Sequence, residues 1–270
     1  MGLRSALFTF LGDFRAVHNL CLPPCLIVGE IDRRVRLGID YRAASRLVQP
    51  GDILVSRQRG YLSNLAIPGS FKHAAYYAGP LSGHRNPETG TLEHAKMPPS
   101  GVGIFQTLHP RSIIHSTSDG VIVTDLVEFL SREDYVAAFR PILPEGIDKN
   151  LVVQRIIVEA CKRAGTPYNF DFSDAKDKSF YCTEFVVHLC KQAGMILPPK
   201  TMIRTSMFKK KNPVTLADSF AVVFPMVWCS VSCSEPSFVR YSAIPEVLRS
   251  RIYEAQDGED LSEEKEKTDG

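Results

Sequence analysis

Two kinds of hydrophobic spacing alternate along this chain, and together they predict a mixed architecture. After Pro50-Gly51-Asp52, which reads as a turn, the short apolar run Ile53 to Ser56 predicts a strand. A second strand runs from about His73 to Ala78, with His73, Ala75 and Tyr77 sharing one face because side chains alternate. Residues 80 to 111 are rich in Gly, Pro, His and Ser and read as a long loop or insertion. Arg111 to Thr117 predicts the next strand, Asp119-Gly120 a hairpin turn, and Val121 to Thr124 the returning strand. Tyr135 to Pro141 reads as a further strand.

Helical spacing appears between and after these runs. Asp125 to Leu130 predicts a short helix started by Thr124 or Asp125. Asp148 is placed to cap a helix through about Arg163, with Val153, Ile156, Ile157, Ala160 and Ala164 as its buried stripe and Gly165 ending it. Another helix opens near Tyr181 and closes at Gly194, with Cys182, Phe185, Val186, Leu189, Cys190 and Ala193 recurring at helical intervals. Residues 1–48 read as an amphipathic helical extension broken by Pro23-Pro24. The expected organisation is that extension, a catalytic domain over 49–225, a C-terminal extension over 226–253, and a disordered acidic tail over 254–270.

Composition narrows the function without naming it. The 32 basic and 30 acidic side chains leave a formal charge of +2, so no whole-molecule field points to nucleic acid. Seven cysteines, an odd number falling mostly in apolar segments, favour reduced thiols and a cytoplasmic setting. The apolar stretch around Leu7 to Leu11 is interrupted by Asp13 and Arg15, which favours an amphipathic helix over an export signal and makes it a candidate for peripheral membrane contact. Ala6 stands where a myristoylation signal carries Ser or Thr. Cys21/Cys25 and Cys229/Cys233 are spaced with three-residue gaps where paired zinc sites commonly use two, so no metal is expected. Phosphate-loop and dinucleotide fingerprints are absent, and no cofactor is implied. The oligomeric state is not legible.

Chemistry enters with Cys182. A thiol attacks as its thiolate, and a helix start supplies unpaired N–H groups that stabilise an anion and can donate to an oxyanion. Of the seven cysteines, Cys182 is the one this reading places at a helix start. It needs an imidazole to take its proton. If the strands bearing His73 and His115 pair antiparallel, the two rings are neighbours on one face, and one can act as base while the other orients it.

Several segments carry a family likeness. Phe180-Tyr181-Cys182-Thr183-Glu184-Phe185-Val186 resembles the nucleophile motif of permuted NlpC-type papain-like proteins, the YiiX-like branch in particular. Pro50-Gly51-Asp52-Ile53-Leu54 resembles the opening strand of that family, and Lys72-His73-Ala74-Ala75-Tyr76-Tyr77-Ala78-Gly79 its histidine strand. Ile113-Ile114-His115-Ser116 is similar to the strand bearing the third residue, and Gly165 to Phe172 to the stretch before the cysteine. Asn212 to Ser219 resembles a later family segment, with Thr215 replacing the usual Asp. Many YiiX-like members carry Glu at the third position, so His115 is closer to the lecithin retinol acyltransferase-like pattern.

The resemblance covers about residues 48 to 225, with histidine before cysteine, the mark of the permutation. It implies an α+β, circularly permuted papain-like fold in which a small antiparallel sheet packs on the cysteine helix. It also implies a thiol hydrolase or acyltransferase acting on a peptide, amide or lipid-ester bond: Cys182 as nucleophile, His73 as general base, His115 orienting it, and Tyr168 and Tyr181 lining the substrate site. The competing expectation is a non-catalytic papain-like module that binds lipid or acyl chains.

Overall fold

Strand alternation divides the buried residues between two faces of one antiparallel sheet. The computed structural model describes residues 35–58, 68–85, 92–96, 108–143, 145–170, 172, 177–204, 211–234 and 238. Its main sheet comprises β1 (Ile53–Arg57), β2 (His73–Arg85), β3 (Leu92–Lys96), β4 (Leu108–Thr117), β5 (Gly120–Asp125), β6 (Tyr135–Phe139) and β9 (Met226–Cys229). The spatial order is β5-β4-β2-β1-β6-β9, with β3 also pairing β2. A separate hairpin joins β7 (Lys200–Arg204) to β8 (Lys211–Thr215).

Helices cover both faces. Ile53, Val55, Ala74, Tyr76 and Ile114 pack against α3 (Lys149–Lys162) and α4 (Cys182–Gln192). Leu54, Ala75, Tyr77 and Ile113 instead pack against α1 (Leu37–Leu47) and α2 (Leu126–Arg132). A single-residue register slip would exchange these two sets, so burial on both sides fixes the pairing. A 3-10 turn (Ala217–Ser219) and α5 (Phe220–Val223) return the chain to β9.

Several sequence expectations change here. The segment read as a loop from 80 to 111 is partly strand: β2 continues to Arg85, β3 lies within it, and β4 begins at Leu108. Pro80, which cannot donate to a ladder, is accommodated where the β2–β4 register shifts on either side of Gly79. Ala164 is exposed because α3 ends at Lys162, and Val152 joins the buried stripe in its place. The β7–β8 hairpin and β9 were not anticipated; β9 extends the sheet beyond residue 225, using Met226 to Cys229. Asp125 is the helix cap, its carboxylate accepting the Val127 N–H at 2.8 Å.

No described helix is long and apolar enough to cross a membrane. The expectations for residues 1–34, including Cys21 and Cys25, and for the tail over 254–270 fall outside the described residues.

Candidate active site

The first turn of α4 is held from both flanks. The Thr183 hydroxyl donates to the Thr215 carbonyl at 2.6 Å. Glu184 Oε2 accepts the Tyr181 N–H at 3.2 Å and the Asn169 side-chain N–H at 3.1 Å. Below it, the Asn169 N–H donates to Phe180 O and the Phe180 N–H to Pro167 O, each at 3.1 Å, so the stretch carrying Tyr168 is laced to the residues preceding Cys182. The same stretch is anchored to β5, whose Val121 N–H donates to Thr166 O at 2.8 Å.

Cys182 is 6% exposed. Its sulfur lies against the main chain on either side of His73: the thiol donates to Lys72 O at 3.8 Å, and the Ala74 N–H donates to the sulfur. The N–H groups of Cys182 and Thr183 and the Tyr168 hydroxyl point to the same atom. Burial pushes the Cys182 thiol up, and these donors only partly offset it. The resting sulfur is therefore a neutral thiol ringed by donors suited to the anion.

The imidazoles meet as the register requires. Ala75 pairs with His115, placing His73 and His115 on one face two residues apart along neighbouring strands. His73 Nε2 lies 2.9 Å from His115 Nδ1, and His115 Nε2 lies 3.3 Å from the Thr124 hydroxyl. Phe129 of α2 packs on both rings, with centroids at 6.3 Å from His73 and 5.6 Å from His115. Burial lowers the His73 pKa to about 4. Burial, then the neighbouring His73 and Arg132, holds His115 well below the usual histidine range.

His73 Nε2 is thus engaged by His115, while Nδ1 makes no hydrogen bond to any described residue. Nδ1 is the ring nitrogen nearer the main chain, and the Cys182 sulfur rests on that main chain. Among the described residues the sulfur makes no hydrogen bond to an imidazole; its proton rests on Lys72 O.

Of the residues expected from sequence, Cys182, His73, His115 and Tyr168 converge. Tyr181 turns elsewhere: its ring lies 5.2 Å from Phe172, it packs with Val214, and its hydroxyl receives the Thr215 N–H. Sequence reasoning did not single out Thr124 or Asp218. Thr124 could have been found from the hairpin register, since it pairs with Ile113, two residues before His115. Asp218 accepts the Ser70 and Phe71 N–H groups at 2.6 and 2.7 Å, fixing the approach to His73 through a contact that spans 147 residues between Phe71 and Asp218. No local signal announces it. No group of three or more His, Cys, Asp and Glu suited to a metal occurs among the described residues.

A family model described as "permuted papain-like amidase enzyme, YaeF/YiiX, C92 family" matches residues 47–231. Among solved structures, the crystal structure of the metalloprotein YiiX from Escherichia coli O157:H7 aligns at 17% identity and a TM-score of 0.46, covering 67% of this chain and 96% of that one. A search of curated proteins found no match. The family match spans most of the chain and includes Cys182, His73 and His115, and on it the chain belongs to the C92 family of permuted papain-like amidases.

Proposed function

We propose that this chain is a cysteine amidase that cleaves its substrate through a Cys182 thioester, with His73 as general base and His115 as its orienting partner. The observation that carries this reading is the convergence at His73. Its flanking peptides hold the Cys182 sulfur, while its Nε2 is tied at 2.9 Å to His115.

The chemistry follows from the protonation states. With His73 neutral, Nε2–H donates to His115 Nδ1 and the lone pair of Nδ1 is available; His115 Nε2–H then donates to Thr124. This route requires the His73 side chain to turn from its packed position so that Nδ1 meets the thiol. As sulfur bonds to the substrate carbonyl carbon, the thiol proton passes to Nδ1 and the carbonyl oxygen becomes an oxyanion. In this reading the Cys182 N–H, which points to the sulfur at the start of α4, donates to that oxyanion. Collapse breaks the C–N bond, and the imidazolium returns its proton to the departing amine. Water, deprotonated by the same imidazole, then cleaves the thioester and regenerates the thiol. Tyr168, donating to the sulfur, stabilises the thiolate as it leaves in this second half.

Labelling with iodoacetamide across pH, followed by mass spectrometry of each cysteine, tests the reading on wild type, Cys182→Ala and His73→Ala. One fast site that is absent in Cys182→Ala and slowed in His73→Ala is the expected result, and justifies screening amides and peptides ahead of lipid esters. Cys182 reacting no faster than Cys161, with no effect of His73→Ala, overturns it and leaves a binding module without catalysis.

A further inference from the structure

Thr124 stands at the far end of the imidazole pair. It pairs with Ile113, which packs with Ala75, Tyr77, Leu126 and Phe129, so Thr124 lies on the sheet face that carries His73 and His115. The ladder holds it from one side. On the other, the next residue, Asp125, caps α2 by accepting the Val127 N–H at 2.8 Å, and α2 carries Phe129 against both imidazoles. Thr124 is 7% and His115 8% exposed. The Thr124 hydroxyl, at 3.3 Å, is the one hydrogen-bond partner of His115 Nε2 among the described residues.

Two neutral rings carry two ring protons, and the 2.9 Å contact between His73 Nε2 and His115 Nδ1 takes one of them. The other therefore sits at one end of the pair. On His115 Nε2 it leaves His73 Nδ1 bare; on His73 Nδ1 it leaves His115 Nε2 bare. Only the first arrangement gives His73 a lone pair on Nδ1 with which to take the thiol proton. Burial opposes a third ring proton, and at His115 the neighbouring Arg132 cation opposes it as well. The two arrangements differ in what meets the outer proton. On His115 it points to the Thr124 oxygen, whereas on His73 it meets no acceptor among the described residues, and a buried N–H left unmet is costly. The hydroxyl's own hydrogen turns about the C–O bond and is not confined to a ring plane.

We propose that Thr124 is a positioning residue that selects the working tautomer of His73: its oxygen accepts the His115 Nε2–H, holds the outer proton at the end of the pair away from His73, and so leaves the lone pair on His73 Nδ1. This assignment rests on His73 being the base for Cys182. Thr124 acts through two rings rather than on the reacting atoms. A valine in its place keeps the shape and the strand preference but offers no oxygen. The buried Nε2–H of His115 then loses its acceptor, and the outer proton moves to His73 Nδ1, where it blocks the base.

Nitrogen NMR of isotope-labelled histidine rings in the full chain, near neutral pH, tests it directly, because protonated and bare ring nitrogens resonate far apart. The signals are assigned by their loss in His73→Gln and His115→Asn. Wild type and Thr124→Ser are expected to show a protonated Nε2 and a bare Nδ1 on both rings, and Thr124→Val to show the reverse. Iodoacetamide alkylation of Cys182 falls about tenfold in Thr124→Val, the scale of one lost hydrogen bond, and returns in Thr124→Ser. Thr124→Ala, which also lacks the oxygen, takes the place of Thr124→Val where valine prevents folding. Wild-type rings protonated on Nδ1, or ring spectra that stay as in wild type when the oxygen is removed, overturn the proposal whatever the variant's stability. So does a reversed tautomer with unchanged alkylation, where His73→Ala slows alkylation. Cys182 reacting no faster than Cys161, with no effect of His73→Ala, instead overturns the catalytic reading. The ring spectra then decide tautomer selection by themselves: reversal on loss of the oxygen supports it, and no change overturns it.

Discussion

His73 Nε2 and His115 Nδ1 stand 2.9 Å apart, a distance at which one ring must donate and the other accept. Two imidazolium rings would set N–H against N–H, so the geometry and the burial both favour the neutral pair. With the His73 pKa lowered to about 4, the base is in its working form at all pH values above that point. The acid limb of kcat/KM is therefore expected near pH 4 rather than near 6.5, and a pH–rate profile measures it directly.

The same burial links stability to pH. The folded His73 pKa of about 4 lies below the unfolded value of 6.5, so protons bind the unfolded chain preferentially between the two. The stabilisation is full above pH 6.5 and is lost as pH falls toward 4. Thermal unfolding should show Tm falling across that window, with a shallower slope in His73→Gln.

His115 acts through His73. His115→Ala removes the acceptor that keeps the His73 proton on Nε2 and the lone pair on Nδ1, and is expected to lower kcat by about 100-fold, the scale on which mispositioning of a reacting group costs rate. His115→Asn, whose amide oxygen accepts from Nε2–H, should recover most of this. Equal losses in both variants, with unchanged acid limbs, would show that His115 only fills space against Phe129.

Asp218 anchors the approach to β2 through the Ser70 and Phe71 N–H groups. Asp218→Ala leaves two buried donors unmet and should destabilise the fold by about 2–5 kcal/mol. Asp218→Asn retains one good acceptor and should cost less. Denaturant titration gives the stability, and kcat should fall with KM nearly unchanged because the displaced residue is His73.

Gly120 adopts φ +97°, and a Cβ there would stand 2.6 Å from Thr166 O. Gly120→Ala combines backbone strain with a clash against the segment leading to Tyr168, and is expected to cost about 2–4 kcal/mol. Thermal denaturation measures the loss. The alkylation rate of Cys182 should change with it, since Val121 N–H holds that segment two residues before Tyr168.

Much of the site was legible because its signals are local. Cys182 at a helix start, His73 and His115 on strands with a hairpin turn between β4 and β5, and the motif order all lie in short stretches whose periodicity survives without neighbours. The cap at Asp125 and the end of α3 near Gly165 followed from side-chain and backbone chemistry acting over one turn. The full extent of β2 and β4 was hidden because Pro80 and the surrounding glycines read as loop, whereas strand ends are decided by the partner that pairs with them.

By itself the sequence determined the α+β class, the helix that carries Cys182 and the face that His73 shares with Ala75 and Tyr77, since these depend on spacing along one segment. Only the tertiary structure decided that the sulfur rests on the peptides flanking His73, that Nε2 rather than Nδ1 meets His115, and that Tyr168 reaches the thiol while Tyr181 does not. Asp218 beneath Ser70 and Phe71 belongs to the same set. These are contacts between segments far apart in the chain, and packing across the sheet, not local periodicity, brings them within bonding range.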